Sequence, residues 1–280
     1  MSGRGRARGG NTNRGTRADR LARTDRTERR NPRAEGLGGD LVEGRNAVRE
    51  LLDAGTRTVK DVWISDDVDD AAVLDEIREL AFEQGVAVRS VSGEQLRGAA
   101  RTDAPQGVLA HAAPVAEADL DALLAEPGAF LIALDGVTDP GNLGAVLRSA
   151  CAAGATGVVI PKSRSVRLTP AAVKAAAGAV EHLPIALVSG IPQMLDRAKR
   201  AGVWSVGFDA DGTTSLFDLT VADQPVVLVM GAEGRGIARL VRDRCDVVAH
   251  IPMAGAMESL NVSAAAAVAC FEVLRRRSAG

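Results

Sequence analysis

"IPMAGAMESLNVSAAAAVACFEVLRRR", residues 251–277, closes the chain. From Val262 onward it reads as a helix of Ala, Val, Cys and Phe, apolar nearly all round until the arginines, and therefore as a buried helix. Its entrance is different. Ser259, Asn261 and Ser263 crowd five positions after a glycine-containing loop that itself follows the apolar strand "VVAHIP" (247–252). One side-chain oxygen satisfies a free N–H of a first helical turn, so a cap accounts for one of the three and leaves the others for another task. Upstream, "FLIALDG" (130–136), "GVVIP" (157–161), "IALV" (185–188), "WSVGFD" (204–209) and "VVLVMG" (226–231) alternate with helical stretches such as "TPAAVKAAAGAVEHLP" (169–184) and "IARLVRDRCD" (237–246). Continuous apolar strands separated by helices predict an α/β domain with a parallel sheet covered on both faces. In such sheets ligands bind beyond the carboxyl ends of the strands, so the loops after strands are where chemistry is expected.

Composition bounds the class. With 280 residues and 46% hydrophobic content, the chain has material for one large core and a smaller second one. No apolar run approaches the ~20 residues of a membrane span, and no apolar stretch follows the basic N-terminus as in a secretory signal, so the cytoplasm is the expected compartment and no membrane partner is expected. Cys151, Cys245 and Cys270 are odd in number, widely spaced and set in apolar segments, which argues against a disulfide framework and against zinc and predicts reduced core residues. His111, His182 and His250 are scattered too, and each is expected to cap or pack rather than to bind a metal.

The net charge of −2 hides an asymmetry: residues 1–36 carry eleven Arg against four acids, a net of +7, which leaves −9 on the remainder. This Arg/Gly-rich stretch is too poor in large apolar residues to offset its ordering entropy, so residues 1–40 are expected to be a disordered basic tail, either tracking a phosphate backbone or merely solubilising. Residues 41–114 alternate short helices and strands ("GRNAVRELLDAG", "DVWIS", "DAAVLDEIRELAFEQG", "AVRSV", "QGVLAHAAP") and predict a small α/β domain. Residues 115–129 form a linker with one short helix stopped at Pro127 and Gly128, and the larger domain occupies 130–280.

Two further loops stand out. In "LDGVTDPGNLGAVLRSA", Asn142 opens a helix on which Arg148 follows six residues later; alone, this reads as an Asp-Pro-Gly turn with an Asn cap and a solvated Arg. In "VVLVMGAEGRGIARL", Gly231, Gly234 and Gly236 follow a strand, but the spacing is G-x-x-G-x-G and Glu233 would repel a pyrophosphate, so a nicotinamide dehydrogenase is disfavoured and a cationic ligand or a backbone-orienting role for the carboxylate suits the loop better.

Taken together, "DPGNLGAVLRSA", "LVMGAEGRG" and "IPMAGAMESLNVSAAAA" stand in the order and spacing of three motifs, and the chain resembles the SpoU (SPOUT-superfamily) RNA ribose 2′-O-methyltransferases over roughly residues 41–277. Within that family it is most similar to bacterial enzymes acting on a guanosine of 23S rRNA. The resemblance implies a trefoil-knotted methyltransferase domain, an N-terminal L30e-like RNA substrate-binding domain, S-adenosylmethionine as cofactor, RNA as substrate and a homodimer. It also implies that backbone around Gly231, Ile251 and Leu260 holds the cofactor and that Asn142, Glu233, Ser259 and Asn261 fix geometry. Arg148 then acts on the ribose hydroxyl, as base or as stabiliser of the developing oxyanion; an ordinary Arg is a very poor base, which favours the stabilising role. A transfer RNA 2′-O-methyltransferase, an antibiotic-resistance rRNA methyltransferase and a catalytically silent RNA-binding protein are the alternatives.

Overall fold

Leu41–Glu43 (β1), Arg45–Ala54 (α1), Val59–Ser65 (β2), Ala72–Glu83 (α2), Ala87–Val91 (β3), Gly93–Ala99 (α3) and Val108–Ala112 (β4) build the front of the molecule. The computed structural model describes residues 36–69, 71–163, 165–232, 234–257 and 259–279. The expected basic tail lies outside them up to residue 35, as does Glu233. Residues 36–40, which composition assigned to that tail, are structured: Leu37 is buried, and its carbonyl accepts from the Leu168 N–H at 3.0 Å.

The four front strands lie in the order β1-β4-β2-β3, with β4 antiparallel to its neighbours and β2 parallel to β3. Helix α1 forms because Val48, Leu51 and Leu52 share one buried face, and it stops at Gly55, which takes φ 58. Leu74, Ile77 and Ala81 do the same for α2. Ser92 and Gln95 close a reciprocal capping box on α3, a helix not expected from the sequence although Ser-x-x-Gln is its signature.

The larger part comprises Leu120–Ala125 (α4), Phe130–Asp135 (β5), Pro140–Ala152 (α5), Gly157–Pro161 (β6), Pro170–Ala176 (α6), Ile185–Val188 (β7), Ile191–Arg200 (α7), Trp204–Phe208 (β8), Thr214–Ser215 (β9), Val226–Gly231 (β10), Arg239–Arg242 (α8), Val247–His250 (β11) and Val262–Ser278 (α9). Its sheet runs β7-β6-β5-β10-β8-β11-β9, and every pairing is parallel, as expected. On one face Leu143, Val146, Val173, Ala269 and Val273, from α5, α6 and α9, pack on Phe130, Ile132 and Leu228. On the other, Leu123, Met194, Leu195 and Val241 pack on Leu131, Ala133 and Val229. The first of these cores is continuous with Val48, Leu51 and Ile77 of the front helices α1 and α2, so the two parts share apolar packing instead of owning separate cores.

Three elements differ from the sequence reading. The helix expected over 169–184 breaks at Ala177 and Gly178, which take φ 50 and φ 97, and resumes as a 3-10 turn at Ala179–Glu181. The break lets Gly178 sit against α1: a Cβ there would lie 2.3 Å from the Cβ of Glu50. The helix expected over 237–246 is only the single turn α8. Finally, α9 is not buried all round: Val268, Phe271 and Leu274 are 37%, 48% and 36% exposed.

The chain leaves β5 towards β6 and β7, then returns so that β10 and β8 lie on the other side of β5. The reversal falls between β5 and β10, where Asp135 pairs with Gly231, so the loops after these two strands flank a crevice.

Candidate functional site

Strand β10 runs buried through Val226–Met230 into a loop that folds back on the strand end. Ala232 bridges Gly236, whose N–H reaches the Ala232 carbonyl at 3.0 Å. The doubling-back brings backbone onto backbone: a Cβ on Gly231 would lie 2.1 Å from the carbonyl carbon of Gly236, so no side chain fits there. Asp135, at the end of β5, anchors the far side of the loop by accepting the Ala238 N–H at 2.7 Å.

This loop forms one wall of a cavity of about 680 Å³. A second wall is Phe208–Ala210 at the end of β8, and the third is the segment between β11 and α9, with Ile251, Met253, Met257, Ser259, Leu260 and Asn261, continued by Val262 and Ala265 of α9. Of the residues expected from the sequence, Gly231, Ile251, Ser259, Leu260 and Asn261 all line it.

Asn261 explains the crowding at the entrance of α9. Its Oδ1 accepts the Ser263 N–H at 2.8 Å and the Ser263 hydroxyl at 2.6 Å, so it caps the helix. Its Nδ2 donates to Oδ1 of Asn142 at 3.0 Å. Ser263 therefore belongs to the cap, whereas Ser259 faces the cavity. Asn142 is not itself the cap of α5; Asp139 is, accepting the Asn142 N–H at 2.7 Å, which leaves the Asn142 side chain for the contact with Asn261. Arg148 lies exposed further along α5, outside the lining of the cavity. Six helical residues separate it from Asn142, or about 9 Å along the axis.

Sequence reasoning missed Asp209, Arg235, Met253 and Met257, all of which line the cavity. Asp209 had a signal, since it is the first residue after the strand "WSVGF". Arg242 holds it at 3.2 Å, and its own carboxylate accepts the Asp211 N–H at 3.0 Å. Cys245 and Cys270 are inert: burial first, then for Cys245 the charges of Asp246 and Asp135, push each thiol up to about 12. The histidines pack as expected, His111 on Asp61 at 2.7 Å, His182 on Glu50 at 2.9 Å and His250 on the Gly212 carbonyl at 2.9 Å.

Chemically, the described lining joins apolar and thioether walls to backbone groups, the Asp209 carboxylate held by Arg242, the Arg235 guanidinium and a serine-asparagine rim. The apolar and thioether walls suit a flat aromatic ring.

Residues 129–271 match the SpoU rRNA Methylase family, and residues 41–118 match RNA 2′-O ribose methyltransferase substrate binding. A 23S rRNA (guanosine-2′-O-)-methyltransferase RlmB of Pseudomonas syringae pv. tomato is 41% identical over 247 residues, covering 86% of this chain and 97% of that protein. An uncharacterized tRNA/rRNA methyltransferase of Mycolicibacterium vanbaalenii is 40% identical over 243 residues, covering 85% of this chain and 77% of that protein. Among solved structures, the SpoU methyltransferase AviRb from Streptomyces viridochromogenes in complex with AdoMet aligns with a TM-score of 0.72 at 27% identity, covering 86% of this chain and 91% of that one.

Proposed function

The chain belongs to the SpoU rRNA methylase family, and from that premise we propose that it transfers a methyl group from S-adenosylmethionine to the ribose 2′-hydroxyl of a guanosine in 23S rRNA. The observation that carries the reading is the convergence of the Gly231 loop, Ile251 and the Ser259–Asn261 rim on one cavity, with Asn142 clamped to that rim. The residues present fit the cofactor. Gly231 admits the backbone of its own loop where any Cβ would block it, and the methionines and Leu260 offer apolar contact for an adenine ring.

When bound, S-adenosylmethionine supplies a sulfonium methyl group. The task left to the protein is alignment of the ribose oxygen with that carbon, an effect that can contribute ~7–11 kcal/mol. Backbone around Gly231, Ile251 and Leu260 holds the cofactor in this reading. Asn261, fixed by Ser263 and Asn142, sets the rim together with Ser259, and Glu233 serves the same geometry. Arg148 stabilises charge developing on the ribose oxygen, a role that suits its planar fork of donors.

The trefoil knot of the final segment, the homodimer and a cytoplasmic location belong to the same proposal. The stripe of Val268, Phe271 and Leu274 on α9 supports the dimer, because a partner surface would bury it. Among the described residues no helix is long and apolar enough to cross a membrane. We assign RNA selection to residues 41–114, in keeping with the substrate-binding match over 41–118. The test is a map of 2′-O-methyl groups on ribosomal and transfer RNA from a strain lacking the gene: one guanosine of 23S rRNA loses its methyl group, and loss confined to transfer RNA would replace the target.

A further inference from the structure

Residues 41–114 are matched to RNA substrate binding, yet they hold fourteen acidic side chains against eight basic ones. Diffuse attraction to phosphate, which dominates most protein contacts with nucleic acid, therefore does not describe this part of the molecule. Six of the acids lie on α1 and α2. Both helices pack on the sheet face that carries Val62, Ile64 and Val108. The opposite face has another character.

Because side chains alternate along a strand, Asp61 and Trp63 of β2 point away from the face that buries Val62 and Ile64. Arg89 of β3 stands directly across from Trp63, and His111 of β4 directly across from Asp61. The Asp61 carboxylate gathers the group: it meets Nδ1 of His111 at 2.7 Å, accepts from Nε1 of Trp63 at 3.1 Å and lies 3.4 Å from Nε of Arg89. The Trp63 and His111 rings meet edge to face with centroids 5.5 Å apart. Trp63 is only half-buried, while the His111 and Arg89 side chains are 38% and 60% exposed. A large indole is thus held in one orientation at the partly exposed edge of a face whose other residue opposite it, Leu109, is buried, beside a cation, in a chain with two Trp, five Phe and no Tyr.

We propose that Trp63, oriented by Asp61 and His111, is a stacking platform for an unpaired base of the substrate RNA, with Arg89 beside it for the adjoining phosphate. Indole-base stacking needs no positive field, so it works on an otherwise acidic domain, and the one accessible cation on the cluster lies where a stacked nucleotide would carry its charge. The proposal rests on the RNA methyltransferase reading and names where the front domain grips its substrate.

The test uses the full-length chain. Trp204→Phe leaves Trp63 as the only tryptophan, and its fluorescence is followed while unmodified 23S rRNA, or transfer RNA in a parallel arm, is added. Saturable quenching is expected. Trp63→Ala should raise KM for the RNA about ten-fold or more while kcat at saturating RNA and cofactor affinity stay unchanged, and Trp63→Phe should restore most of the loss. Quenching by transfer RNA alone would uphold the platform and move the methylation target. No quenching by either RNA, or an unchanged KM in Trp63→Ala, would overturn the platform and leave the methyltransferase reading intact.

Discussion

Asn261 donates its side-chain amide to Oδ1 of Asn142 at 3.0 Å, across 119 residues of chain, while its own Oδ1 caps α9. One side chain thus does two jobs that can be separated. Asn261→Asp keeps an oxygen for the Ser263 N–H but removes the donor to Asn142, so the melting temperature should stay near that of the wild type while turnover falls by about ten-fold or more. Asn261→Ala removes the cap as well and should also cost about 1 kcal/mol of stability. Thermal unfolding beside single-turnover kinetics separates the two effects.

Gly231→Val tests the cavity wall. A side chain there meets the backbone of Gly236 before it meets any ligand, so the loop must shift and take its part of the wall with it. Affinity for S-adenosylmethionine, measured calorimetrically, should drop by at least about ten-fold in a folded variant, because the site is held within a fraction of an ångström by backbone. Equal affinity would place the cofactor elsewhere.

Arg57 and Glu181 join the two parts of the molecule through a buried ion pair, with side chains 6% and 1% exposed and Nε donating to Oε2 at 2.8 Å. The remaining Arg57 donors reach the carbonyls of Gly39 at 2.8 Å and Ala113 at 2.7 Å, on both chain segments that enter and leave the front sheet. Arg57→Met strands the carboxylate and should cost ~3–5 kcal/mol in urea unfolding. The double variant with Glu181→Leu should recover much of that loss, since the uncompensated charge is what hurts.

Acid should loosen α9. Hydrogen bonds from Arg275, opposed by burial and aided by Arg276, hold the Glu272 carboxyl at about 2 instead of 4.5. The folded value is the lower one, so the contribution is complete above about 4.5 and disappears as pH falls towards 2. Arg275 is 61% exposed, so solvent screening keeps the contribution of the pairing small. Glu272→Gln should therefore flatten the acid limb of stability against pH and leave the neutral region nearly unchanged in slope.

The parallel sheet was legible because its strands are continuous apolar runs, and the pattern pointed to the loops after strands, whereas Gly231, Ile251 and Asn261 were assigned to the site through the resemblance. The break at Gly178 was not legible: it answers to Glu50, on another sheet, and no local pattern carries that contact. Composition made Leu37 part of the tail, since one leucine among glycines has no period to betray its burial. Resemblance put Asn142 and Asn261 in one site, but their direct contact was not legible, because 119 residues lie beyond any periodicity. The exposed stripe on α9 was hidden for a related reason, as an all-apolar helix does not reveal which side faces the core.

Single-turnover methylation of unmodified 23S rRNA, with the product mapped at nucleotide resolution for the wild type and for Arg148→Ala, tests the central claim most directly. The expected result is one 2′-O-methylguanosine in the wild type and, in the variant, a rate lower by several powers of ten with cofactor affinity nearly intact, as for a group that acts mainly on the transition state. A near-normal rate in Arg148→Ala, or no 2′-O-methylation of 23S rRNA by the wild type, would contradict it.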